Sequence, residues 1–204
     1  MAKLETLLPS VRAEVPGAMD ITIIDNIRRA AIDFCERTKF YREEHDPLIT
    51  SGTIQEYDLD PPSGTVVSDI IWVTYDGDAL IAKTDAGIRP HMSAAGTTQY
   101  YSLLNPKLLV VAPQPAASKQ LKLRVALKPK PTATSIEDYV YDEWSEAFYH
   151  GALYRMLNQP GKDWSNPEAA LYHQQAFFDA VNTATDAADN SGVSVAYTVK
   201  YGGI

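Results

Sequence analysis

A single cysteine, Cys35, stands in a chain of 204 residues. That excludes an intrachain disulfide framework and any cysteine-rich metal site, and a lone thiol of this kind is expected as a small core residue. No apolar run approaches the roughly 18 residues that a membrane-spanning helix requires. The opening MAKLETLLPSVRAEVPG has neither a compact apolar stretch nor a small-residue cleavage site, so the expectation is an intracellular chain with no membrane partner. Basic residues are also scarce: 18 Lys and Arg against 26 Asp and Glu give a net charge of −8. Residues 136–189 hold ten acids and only two bases, so the whole excess lies in that region. The basic stripe of a nucleic-acid binder is missing, which argues against tight DNA or RNA binding.

What is present is a change of period along the chain. DITIIDNIRRAAIDFCERT, from Asp20, places Ile24, Ile27, Ala31 and Phe34 at helical spacing. Pro16 and Gly17 separate it from residues 1–19, where no helical period is assigned and an extended or mobile segment is expected. Between residues 41 and 131 strand-like runs alternate with turn-rich stretches. TVVSDIIWVTY stops at Asp76-Gly77, a hairpin signal because glycine accepts positive φ without steric cost. Leu121, Leu123, Val125 and Leu127 alternate strictly, as a half-buried strand does. Residues 83–99 carry Gly, Thr, Ala and Pro and read as a long loop or a broken strand pair.

The 3.6 period returns after KPKPTATS. Ile136, Val140, Trp144, Ala147, Gly151 and Tyr154 share one helix face, with Trp144 and Trp164 expected to pack in the core. A glycine in a helix interior costs about 1 kcal/mol relative to alanine, so Gly151 on the packed face points to a close helix crossing. Asn166, Pro167 and Glu168 offer an N-cap, a first helical position and a charge suited to the helix dipole. Ala170, Phe177, Val181, Ala184 and Ala188 then line one face of a third helix. The fold class expected is α+β: a three-helix bundle (20–40 and 132–189) with an inserted antiparallel β module (41–131) and an extended C-terminal arm (190–204). In that arm Val193, Val195, Tyr197, Val199 and Tyr201 alternate with small or polar residues, which is the pattern of a half-buried strand in want of a partner.

Catalytic patterns are not found. His45, His91, His150 and His173 show no helical metal-ligand spacing, and although His150 and His173 could meet across the helical hairpin, structural roles are expected and no metal or cofactor is assigned. Asp138, Asp142 and Glu146 form an acidic stripe on one helix face; such runs are ordinarily solvated faces. PGKDWS lacks the strand-loop-helix setting of a phosphate loop, and no nucleophile elbow occurs.

The stretches LLPSVRAEVPG, NIRRAAIDFCERT and VALKPKPTATSIEDYVYDEWSEAFYHGALYRMLNQPGKDWSNPEAALYHQQAFFDAV resemble the bacteriophage head-to-tail adaptor proteins, also called head-tail connector or tail tubular protein A-like proteins. The sharpest part runs from Trp144 through Trp164 to Phe177. The resemblance implies a structural, non-enzymatic virion protein at the neck, made in the host cytoplasm. It implies a ring, typically of twelve copies, between the portal protein and a tail or nozzle protein, with viral DNA passing through without specific binding. It also implies that the terminal arm, Val193 to Tyr201, is a portal or subunit contact, and it gives Asp138, Asp142 and Glu146 a possible place along the channel, where carboxylates repel phosphates. Two alternatives compete: a receptor- or glycan-binding tail module using Trp72, Tyr75, Tyr100 and Tyr101, and a tail-associated hydrolase using Asp142, Glu143 or Glu146.

Overall fold

The computed structural model of the protein describes residues 1–190, so the alternating segment Val193–Tyr201 lies outside the described residues. The first correction comes at the N-terminus. Residues 1–19 are not extended: a short strand β1 (Ala2–Lys3) leads through a 3₁₀ turn (Leu4–Leu7) into α1 (Leu8–Glu14). Leu4, Val11 and Val15 are buried because their spacing puts them on one helical side, and Pro9 sits in the first turn, where its missing N–H costs nothing. β1 pairs antiparallel with β10 (Ser135–Ile136), which leads into the second half of the helical part.

α2 (Asp20–Thr38) buries Ile23, Ile27, Ala30, Ala31, Phe34 and Cys35. Ile23 rather than Ile24 carries the start of the stripe. Lys39 ends the helix in the left-handed region at φ 49°, its N–H bonding Cys35 O at 3.0 Å. The β module follows: β2 (Arg42–Ile49), β3 (Glu56–Asp58), β4 (Thr65–Tyr75), β5 (Asp78–Ala79), β6 (Ile81–Ala82), α3 (Asp85–Met92), β7 (Tyr100–Asn105), β8 (Leu108–Ala112) and β9 (Gln120–Pro129). One sheet has the order β2-β9-β4-β5 and the other β3-β8-β7-β6. The expected Asp76-Gly77 turn joins β4 to β5, both residues at positive φ (53° and 99°), with Tyr75 paired to Asp78. Leu121, Leu123, Val125 and Leu127 all face the core from β9.

The module is antiparallel except at one place. β6 and β7 are parallel, and parallel neighbours need a crossover. α3 supplies it, in the stretch expected to be a loop. Thr84 caps this helix by accepting from Gly87 N–H at 3.2 Å, and Asp85 and Arg89 pair one turn apart. Ile88, Val110 and Ala112 form a small separate core beneath it.

After β10 come α4 (Asp138–Leu157) and α5 (Pro167–Asp189). Ile136 therefore precedes the helix rather than opening it. Asn166 caps α5, accepting from Ala169 N–H at 3.1 Å, with Pro167 next. All five expected core residues of α5 are buried. The close crossing at Gly151 is present: a Cβ there would stand 2.7 Å from Ala30 Cβ and 2.9 Å from the Phe177 ring. Trp144 and Trp164 are only half-buried, packed on the core's margin, with their indole N–H groups buried and without a hydrogen-bond partner among the described residues. The protein is thus mixed α+β, with five α-helices among the described residues. One apolar cluster runs continuously from α1, α2, α4 and α5 into β4, β8 and β9.

Candidate interaction surface

The acidic stripe is reduced by its own fold. Asp138 accepts an ion pair from the N-terminal ammonium of Met1 at 2.7 Å, made possible by the β1–β10 pairing, and this carboxylate raises the ammonium's pKa. Asp142, Glu143 and Glu146 are exposed on α4. Asp138, Asp142 and Glu146 share a helix, as their spacing requires, but the first is already engaged.

The aromatic residues that would serve a glycan-binding face are not an open patch. Tyr75 and Tyr101 are buried, and the Tyr75 hydroxyl accepts from Ala116 N–H at 2.8 Å. Trp72 is half-buried. Tyr100 stacks on His91 with ring centroids 4.2 Å apart and lies under the Lys83 ammonium at 5.0 Å.

Each histidine has a structural contact. His45 Nδ1 lies 2.8 Å from Asp46 O while Nε2 accepts from Asp60 N–H at 3.1 Å, which fixes the proton on Nδ1 and ties β2 to the loop after β3. His150 and His173 do meet across α4 and α5, Nδ1 to Nδ1 at 2.8 Å. Burial lowers the pKa of both, and the charge of His150 lowers that of His173 further. Among the described residues no group of three or more His, Cys, Asp or Glu side chains is arranged to hold a metal ion. Cys35 is buried, and desolvation pushes its thiol well above the ordinary range, which makes it inert.

A feature that sequence reasoning did not single out lies where the helices meet the sheet. Arg42 of β2, Arg124 of β9, Phe40, Tyr139 and Glu143 line a cleft of about 370 Å³ closed on one side by the last turn of α5. No local motif could have marked it, because its two arginines lie 82 positions apart and only the β2–β9 register brings them together. Tyr139 bridges the elements. Its hydroxyl accepts from Arg42 N–H at 3.2 Å and donates to Arg42 O at 3.3 Å, and although the residue as a whole is exposed, desolvation of this hydroxyl against the β2 backbone pushes its pKa up to about 12.

No helix among the described residues is long and apolar enough to cross a membrane. Comparison with protein families gives a match over residues 2–197 to the family described as SU10 adaptor protein. Among curated proteins none matches the chain.

Proposed function

The chain belongs to the SU10 adaptor protein family, and from that premise we propose that it is a head-to-tail adaptor forming a ring between the portal and the tail around the channel through which viral DNA passes. The observation that carries the reading is the extent of the family match, which covers the helices, the β module and the C-terminal segment as far as residue 197 rather than one shared element. In this reading α2, α4 and α5 are a bundle that carries the module, β2 through β9, as an insertion between α2 and α4. Heterologous contacts that close by rotation generate a ring. Val193, Val195, Tyr197, Val199 and Tyr201 are the proposed contact with the portal or a neighbouring subunit, and Asp142 and Glu146, with Asp138 already paired, are the proposed channel-facing acids.

The experiment is to mix purified chain with purified portal and image the product by electron microscopy. Rings capping the portal are expected, and a chain deleted for residues 191–204 should give bare portals while retaining the melting temperature of the full chain. Portals that stay bare with the full chain would remove the reading. Normal capping by the deleted chain would remove the assignment of the contact.

A further inference from the structure

The cleft between Arg42 and Arg124 has an electrostatic problem that the described residues do not solve. Arg42 is held rigidly: its Nε donates to Lys39 O at 2.8 Å and its Nη1 to Ala188 O at 2.6 Å. Its nearest carboxylate, Asp189, stands 3.8 Å from Nη2 and is itself mostly solvated. Burial first, and the charge of Arg124 second, lower the pKa of Arg42. On the central strand of its sheet, Arg124 sits between Glu44 of β2 and Trp72 of β4. Glu44 lines a different cleft, with His45 and Asp60. The Nε of Arg124 is buried and has no hydrogen-bond partner among the described residues. A guanidinium has donors only, so the two arginines offer each other no acceptor. Two like charges lining a common space, one of them with a buried donor that has no partner among the described residues, call for an acceptor that carries negative charge.

We propose that this cleft is a carboxylate-binding site that receives an Asp or Glu side chain from an adjoining protein subunit. A carboxylate presents two coplanar oxygens to the fork of a guanidinium, which matches the free edge of Arg124 and the Nη2 of Arg42. A polyanion is a poor fit. Glu143 lines the cleft and Asp189 flanks it, and the surrounding residues 136–189 carry the chain's whole excess of negative charge, so a run of phosphates would be repelled where one carboxylate is not. Residues 191–204 contain no Asp or Glu, so no side chain of the chain's own C-terminal segment supplies the group. The preference for a carboxylate stands on the cleft alone; its source in a neighbouring subunit rests on the adaptor reading.

The test reads the arginine Nε–Hε resonances of the full ¹⁵N-labelled chain by NMR near pH 6. The probe is the α-amide of N-acetylglutamate, compared with dimethyl phosphate and with sodium chloride at matched ionic strength. The expected result is a saturable shift of the Arg124 resonance with the glutamate probe, absent with chloride and weaker with dimethyl phosphate. Arg42→Gln should weaken the probe's binding by about tenfold, and Glu143→Gln, an exposed change that does not threaten folding, should tighten it. A shift that never saturates, one that chloride reproduces, tighter binding of dimethyl phosphate, or a Glu143→Gln variant of unchanged or weaker affinity would each overturn the proposal. Portal and ring play no part in the measurement, so a chain that capped portals but showed no shift would lose this site and keep its adaptor role.

Discussion

Two imidazoles facing each other, Nδ1 to Nδ1 at 2.8 Å, can share one proton but not hold two, since the doubly charged pair would set donor against donor. Burial dominates the electrostatics at both rings, with Glu146 near His150 and Glu14 near His173 pulling weakly the other way. The folded pKa of each lies below the ordinary 6.5, so the unfolded chain binds more protons as the medium acidifies. Stability contributed by this pair is therefore present above pH of about 6.5 and is lost as pH falls below it. Thermal melts between pH 8 and 5 should show that decline. His173→Gln should flatten it, at a cost of about 1 kcal/mol at neutral pH. An identical pH slope in both proteins would assign the decline to other groups. Gly151 poses a packing question instead. Alanine is the better helix former by about 1 kcal/mol, yet its methyl would press on Ala30 Cβ and the Phe177 ring, both tied to helix backbones. Gly151→Ala should destabilise by about 1 to 3 kcal/mol as overpacking does, and Ala30→Gly in the same chain should recover part of the loss. Urea titrations of the single and double variants measure both. This glycine was legible in the sequence because only a close approach excuses it on a packed face. The histidine pair was legible only as a possibility, since the meeting depends on how two helices register.

At the level of elements, the long helices were readable because their apolar residues recur over four or more turns, as Ala170, Phe177, Val181, Ala184 and Ala188 do. The short ones were not. α1 has only two turns, and its stripe of Leu4, Leu8, Val11 and Val15 begins in a 3₁₀ turn, so the period has no length in which to repeat. α3 contains Gly87 and Pro90, which count against a helix by propensity, while the signals in its favour, the Thr84 cap and the Asp85–Arg89 pair, are local and small. The parallel pairing of β6 with β7 follows from that helix and was hidden with it. The N-terminal element gives a direct contrast. A mobile segment could be removed without effect, whereas a docked one could not. Deleting residues 1–17 uncovers the sites of Leu4, Val11 and Val15, each fully or nearly fully buried. At about 1.5 to 3 kcal/mol per large apolar side chain, the loss is comparable to the whole stability of a typical domain. The shortened chain should have a much lower urea midpoint or fail to fold. A midpoint equal to that of the full chain would mean that α1 contributes nothing to the core.

For the whole molecule the question is whether the β module is an independent insertion or part of one folding unit. The sequence suggests independence, because the period changes at residue 41 and changes back after residue 131. The contacts argue otherwise. Leu127 N–H bonds Tyr41 O at 2.7 Å, Lys128 pairs with Glu36 at 2.9 Å, and Lys39 pairs with Asp69, so β4 and β9 are fastened to the end of α2. Surface pairs of this kind are worth about 0 to 1 kcal/mol each, and they serve mainly to mark where the apolar cluster crosses from helices to sheet. That cluster includes Phe34 and Phe148 on the helical side together with Tyr41, Val67, Val125 and Leu127 on the other. Neither part can be exposed without opening apolar surface on its neighbour, which couples their unfolding. The full chain should therefore melt in one calorimetric transition, with calorimetric and van't Hoff enthalpies equal. A chain in which residues 42–130 are replaced by a short flexible linker should be markedly less stable than the helices are within the whole. Two resolved transitions, or a linker variant that melts at the temperature of the intact protein, would mean that the helices and the module fold separately and that the shared core does not hold them together.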